Sequence, residues 1–279
     1  MENDKIIELL NKDIQDEHGA IIQYLSHAYA IGEGEIACEI EGLAREEMRH
    51  LDWLAETVVE LGGTPSTERG TMLMDGEQVP EWMKNNVSLE EGAIKQYREH
   101  IQQIDNPQIK RLLQRILSDE ESHLGDFEHF VEKTQREGMK DIRGDLSDKN
   151  TQTLNWGIEH EYTVILQYMF QSYLTKNKEA KKQLEDQAIN EMQHMGWLGE
   201  EVIGVGGSPI MEHSEVVIPD TTTEMMQTDI EIEKIVADTY DKAAKETDKA
   251  KLKELFERLR DHELYHVDVF NEILKEEKG

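Results

Sequence analysis

One spacing occurs four times in this chain of 279 residues: a glutamate, a tyrosine seven positions on, and then a glutamate followed after three positions by a histidine. The first copy is Glu17, Tyr24, Glu47 and His50, and the second is Glu90, Tyr97, Glu120 and His123. The third is Glu161, Tyr168, Glu191 and His194, and the fourth is Glu233, Tyr240, Glu263 and His266. A pattern held at so constant a period limits the chain to multiples of one structural unit.

A longer repeat encloses the short one. DEHGAIIQYLSHAY, from Asp16, returns as HEYTVILQYMFQSY from His160, and REEMRHLDWLAETVVELGGTP returns as INEMQHMGWLGEEVIGVGGSP. The chain is an internal duplication whose halves keep register apart from a one-residue slip: Glu47 and Glu191 lie 144 positions apart, Glu120 and Glu263 lie 143.

The midpoints between each lone glutamate and its later partner are Gly32, Asp105, Lys176 and Asp248, and each sits in a turn-forming stretch: IGEGE, IDNPQ, TKNKE or ETDKA. A helix that climbs about 15 residues to the bend and returns, at ~1.5 Å per residue, sets both glutamates roughly 22 Å below it. They then face each other across an antiparallel pair. Apolar residues support this, since Leu10, Ile14, Ile21 and Ala28 share a helix face with Glu17 and Tyr24, as Ile36, Ile40, Leu43 and Leu54 do with Glu47 and His50. Few prolines and little β-branched alternation leave an all-α fold with almost no strand as the expectation.

Gly62, Gly63 and Pro65 stop the second helix, and Gly206, Gly207 and Pro209 repeat that stop. The third helix of each half is expected to open at a capping box, Ser88 to Glu91 and Thr228 to Glu231. Long connections, residues 63–87 and 207–227, then join two helical hairpins into a four-helix bundle with one crossover. The polar stretch GMKDIRGDLSDKN carries no apolar period, so the expected domains are 1–138 and 151–279, with a linker at 139–150.

A formal charge of -30 argues against nucleic acid, whose phosphates demand clustered Lys and Arg. Cys38 is the only cysteine, which excludes an intrachain disulfide and a Cys-rich iron centre. MENDKIIELL has neither the basic start nor the apolar run of a secretory signal, and no stretch approaches the ~20 apolar residues that span a bilayer. The expectation is a cytoplasmic protein without a membrane partner.

A single Glu-x-x-His in a Glu-rich chain is ordinary surface chemistry. Four of them, in register and on the core face, are not. Three residues apart, Glu and His lie on one side of a helix, and two such helices with a lone Glu from each of the other two converge four carboxylates and two imidazoles. Two divalent cations bring +4 against the -4 of four buried carboxylates, which would otherwise be costly to bury. The donor set suits iron, manganese or zinc rather than copper(I). Tyr24, Tyr97, Tyr168 and Tyr240, two turns from the lone glutamates, have two open readings: a hydroxyl that serves the site by hydrogen bonding a ligand carboxylate or giving an electron, or ordinary core packing. His18, His27, His100, His129, His160, His213 and His262 fall outside the pattern and are read as non-ligands.

EHGAIIQY from Glu17, EEMRHLDWL from Glu46, the ELGGTP stop and their second-half counterparts resemble the bacterioferritins of the ferritin-like superfamily. The resemblance implies two tandem bundles, each with two iron ions, or manganese in their place. It implies Glu17, Glu90, Glu161 and Glu233 as terminal ligands, Glu47, Glu120, Glu191 and Glu263 as bridges, and His50, His123, His194 and His266 as nitrogen ligands. The implied activity is ferroxidase: oxidation of Fe(II) by O2 or H2O2. Met48 and Met192 occupy the position that in bacterioferritins can bind haem b, with plain packing as the other reading. Peroxide removal resembling rubrerythrin or manganese catalase, served by a separate electron-donor protein, is a second reading. A third is non-catalytic binding of iron or haem for storage or electron transfer. The sequence ends soon after its last helical pattern, without the short fifth helix of bacterioferritins, and the covalent tandem can stand in for the family's dimer, so a homo-oligomer is one reading and assembly into a large shell is left open.

Overall fold

The computed structural model describes residues 2–140 and 149–278. The chain divides into two compact units, Met1–Gly144 and Asp145–Gly279. Most of the expected linker at 139–150 lies outside the described residues. Unit 1 holds α1 (Asn3–Ile31), α2 (Glu35–Glu60), α3 (Val79–Gln103) and α4 (Pro107–Glu137). Unit 2 holds α5 (Lys149–Leu174), α6 (Lys178–Gly204), α7 (Thr222–Glu246) and α8 (Ala250–Lys278). No strand occurs among the described residues. Nor is any helix among them long and apolar enough to cross a membrane.

All four expected bends fall between helices. Gly32 caps α1 at φ 85, a left-handed value that a Cβ would strain. Asn106 and Asn177 cap α4 and α6, each side chain accepting from two backbone amides of the first turn. The α2 stop closes by two reversed hydrogen bonds, Gly62 N–H to the Val59 carbonyl and Gly63 N–H to the Val58 carbonyl, each 2.9 Å, and Gly206 and Gly207 repeat both in unit 2.

The third helix of each half begins earlier than the capping spacing predicts. In α3 the box is made by Gln78 and Glu81, with Pro80 in the first turn, and in α7 Thr221 is the cap. Ser88 and Thr228 therefore lie inside helices, and the connections shrink to residues 61–78 and 205–221. Packing explains the difference: Trp82 and Met83 in α3, and Met225 and Met226 in α7, are buried and reward an extra turn or two of helix. The first crossover is strapped to α1 by Asn11, which accepts from Ser66 N–H and donates to the Thr64 carbonyl, and by Gln23, which accepts from Leu73 N–H.

Side-chain pairing fixes the helix directions. Tyr24 reaches Glu90 while Tyr97 reaches Glu17, so seven residues forward on α1 are seven back on α3, and the two run antiparallel. Tyr168 with Glu233 and Tyr240 with Glu161 set the same crossing of α5 and α7. Apolar side chains pack around this polar middle: in unit 1 Leu10, Ile14, Ile40, Leu54, Leu113, Ile116 and Phe127 are fully buried. At about 1.5–3 kcal/mol per buried large side chain, these apolar residues, not the polar centre, stabilise the fold.

Candidate metal centre

Each lone glutamate and each Glu-x-x-His pair projects from a core face, and all twelve side chains are buried. They form four groups whose donor atoms lie within 4.8 Å of one another. In unit 1 the groups are Glu17, Glu47, His50 and Glu120, and then Glu47, Glu90, Glu120 and His123. Glu47 and Glu120 belong to both, so two adjacent positions share two carboxylates. Unit 2 repeats this with Glu161, Glu191, His194 and Glu263 beside Glu191, Glu233, Glu263 and His266, sharing Glu191 and Glu263.

The imidazoles turn Nδ1 inward. His50 Nδ1 lies 2.8 Å from Glu47 and 2.9 Å from Glu120, and His123 Nδ1 lies 2.9 Å from Glu47. In unit 2, His194 Nδ1 is 2.6 Å from Glu191 and His266 Nδ1 is 2.7 Å from the other oxygen of Glu191. Outward, Nε2 of His50 meets Asp119 at 3.4 Å, that of His123 meets Glu46 at 3.0 Å, and that of His194 meets His262 at 2.9 Å. Sequence reasoning missed these outer partners. Asp119 and Glu46 directly precede Glu120 and Glu47, and only the antiparallel register of α2 and α4 brings them behind the opposite histidine.

Burial first, and then the charges of the shared glutamates, push the carboxyls of Glu17, Glu90, Glu161 and Glu233 well above the usual range. Burial would raise Glu47 too, but the facing His123 and His50 imidazoles outweigh it and hold Glu47 down at about 2. Burial would depress the imidazoles, yet the facing carboxylates lift His123 to about 10 and His194 to about 9, and raise His50 and His266 as well. Without cations, protons must hold this cluster together.

Four buried carboxylates cost several kcal/mol each unless compensated, so a cluster like this is a poor device for stability alone. Many of its inward atoms face one another as ion pairs without hydrogen-bond geometry: Nδ1 of His50, His194 and His266, Oε2 of Glu47, and both oxygens of Glu191 and Glu263, while Oε2 of Glu90 and Glu161 also makes no hydrogen bond. Hard oxygen donors with one imidazole per position, aimed at a common centre, fit a pair of divalent cations.

The four tyrosine hydroxyls are buried and each donates to the lone glutamate of the facing helix: Tyr24 to Glu90, Tyr97 to Glu17, Tyr168 to Glu233 and Tyr240 to Glu161. Burial, and then the facing carboxylate, raise all four phenols, which keeps them protonated donors. Met48 and Met192 are half-buried, one in each unit. Of the other histidines, His100 pairs with Asp13 at 2.8 Å and His27 lies 2.9 Å from Asn86.

A bundle of two crossed hairpins around a paired carboxylate and histidine cluster defines the ferritin-like class. The model of the ferritin-like domain matches residues 7–137 and again 151–279, and the chain belongs to that family as a tandem duplication of a bacterioferritin-like unit. It is 32% identical to the bacterioferritin of Desulfovibrio desulfuricans over 132 residues, covering 45% of this chain and 74% of that one. With the bacterioferritin of Rhodobacter capsulatus the identity is 28% over 140 residues, 48% of this chain and 87% of the other. The crystal structure of the Desulfovibrio desulfuricans bacterioferritin, determined with its diiron site in different catalytic states, is 29% identical over 48% of this chain and 82% of that chain, with a TM-score of 0.45.

Proposed function

We propose that each unit holds two iron ions and that the protein is a ferroxidase, oxidising Fe(II) with O2 or H2O2. The observation that carries this is the sharing of two buried carboxylates by adjacent four-donor groups, once in each unit. Two bound iron ions would supply two electrons, one from each, to a single molecule of oxidant.

The protein's part is placement and charge. Glu47 and Glu120 span both positions, His50 and Glu17 complete one, and His123 and Glu90 complete the other; unit 2 divides the work in the same way. Tyr97 and Tyr24 hold Glu17 and Glu90 by one oxygen each, leaving the other oxygen for a cation. Burial of all twelve side chains places the carboxylates at lower dielectric than bulk water, which strengthens their hold on a cation.

The reading is tested by loading metal-free protein anaerobically with Fe(II) and then admitting O2 or H2O2 in separate runs. Near-ultraviolet ferric absorbance developing faster than in buffer, at up to four irons per chain, is expected. Oxidation at the buffer rate with both oxidants would remove the ferroxidase reading. Elemental analysis of protein as purified separates iron from manganese.

A further inference from the structure

A cavity of about 260 Å³ opens between α1, α3 and the crossover of unit 1, and it reaches the cluster itself: Glu17, Glu90 and Glu120 line its inner end. Glu90 Oε2 and Glu120 Oε1, both buried, have no hydrogen-bond partner. Asp13 and Asp16 line the cavity as well, joined by Gln96, whose amide donates to Asp13 at 2.9 Å and to Asp16 at 2.8 Å. The side chain of Asp16 is 31% exposed and pairs with Lys12, itself half in solvent, so an incoming cation competes there with a flexible ammonium and the Gln96 amide, not with a buried fixed charge.

The duplication supplies an internal control, because each of these positions has a counterpart in unit 2. Asp13 becomes Gly157, Asp16 becomes His160, Lys12 becomes Trp156 and Gln96 becomes Thr239. Ala20 and Ala93, which also line the cavity, become the buried Val164 and Val236. The Trp156 ring stacks on His160 with centroids 5.6 Å apart and planes 9° from parallel, and its edge meets Tyr240, the donor to Glu161, at 5.8 Å. A cavity of about 280 Å³ against Trp156 includes none of the cluster residues in its lining. Acids and small residues line the approach in one unit. Rings and branched side chains fill it in the other.

We propose that the two bundles load divalent cations at different rates: unit 1 through a passage past Asp16 and Asp13, unit 2 slowly, because the Trp156 and His160 stack closes the equivalent passage. The inference rests on the clusters being metal sites, and the test keeps the two ideas apart. Co(II), which is coloured when bound and needs no oxidant, is mixed anaerobically with full-length chain carrying Glu191→Ala, which leaves unit 1, or Glu47→Ala, which leaves unit 2. The chain with unit 1 intact is expected to fill at least about tenfold faster, within the range that an acidic cleft adds to association rates.

Asp16→Asn should slow unit 1 while the same amount of Co(II) finally binds, and Trp156→Ala should speed unit 2, with circular dichroism checking helix content. The comparison of the two silenced chains stands even if Trp156→Ala does not fold. Equal filling rates with Co(II) bound in both chains would overturn the passage and leave the metal sites standing. Absence of bound Co(II) from both would overturn the metal sites and the passage together.

Discussion

The outer ring nitrogen of His194 lies 2.9 Å from Nδ1 of His262. The same nitrogen of His50, in unit 1, faces the carboxylate of Asp119 at 3.4 Å. A carboxylate behind a ligating imidazole fixes the proton on Nε2, frees Nδ1 for a cation and makes the ring more basic. A neutral imidazole does this less well, and burial, then His194 and Arg258, keep His262 low and uncharged. His262→Asp is therefore expected to tighten metal binding in unit 2, on the order of 10- to 100-fold. Calorimetric titration with Zn(II), in chain whose unit 1 is silenced by Glu47→Ala, measures it; unchanged affinity would remove the argument.

Glu47 touches both histidines of unit 1 and belongs to both donor groups. Glu47→Ala should empty both positions of that unit, and His50→Ala should do nearly the same, because losing one cation leaves the shared carboxylates facing each other uncompensated. Unit 2 should keep its metal. Iron per chain would fall by about half, read by elemental analysis. Equal loss from both units would show that the sites depend on each other.

How much of this was legible beforehand follows from what helices make periodic. The bends at Gly32, Asp105, Lys176 and Asp248 and the shared core faces could be read because a helix converts spacing into position, and a fourfold repeat removes chance. The start of α3 could not be read. Ser88 and Glu91 have capping spacing, but the true start is set by burial of Trp82 and Met83, a tertiary gain that local pattern does not carry. Asp119 and His262 were hidden for a related reason: what stands behind a histidine depends on which residue the opposite helix presents. The hydroxyl partners of the tyrosines were equally hidden, since Tyr24 and Tyr97 cross over to each other's glutamates.

That crossing makes the tyrosines testable. Tyr97→Phe removes the donor to Glu17 and leaves a buried carboxylate oxygen unsatisfied. Metal-free unit 1 should lose about 1–3 kcal/mol of stability, read by denaturant unfolding. Occupancy of the position completed by His50 should fall, while Tyr24→Phe should weaken the position completed by His123. If instead Tyr97→Phe left stability and occupancy unchanged and altered only the rate of iron oxidation, the hydroxyl would be acting on electrons and not as an anchor.

Asp229 carries the clearest dependence on pH outside the clusters. In unit 1 its counterpart is Asn86, whose Oδ1 accepts from Gln23 at 2.8 Å. In unit 2 Oδ1 of Asp229 accepts from Gln167 and Gln171 at 2.7 and 3.1 Å, but Oδ2 is buried without a partner. Burial pushes the carboxyl up from 3.8 to about 7 against the pull of those two amides. The folded state therefore holds a proton that the unfolded chain releases near pH 4, so this group's contribution is full below that pH. It is lost as pH rises toward 7, and the cost is constant above. Asp229→Asn keeps the accepting oxygen and removes the charge. It should stabilise unit 2 at pH 8 by a few kcal/mol at most, with the gain shrinking as pH falls toward 4. Thermal unfolding of metal-free protein at pH 8, 6 and 4.5 measures it, and a gain that stayed constant across that range would show that the charge of Asp229 is not its cause.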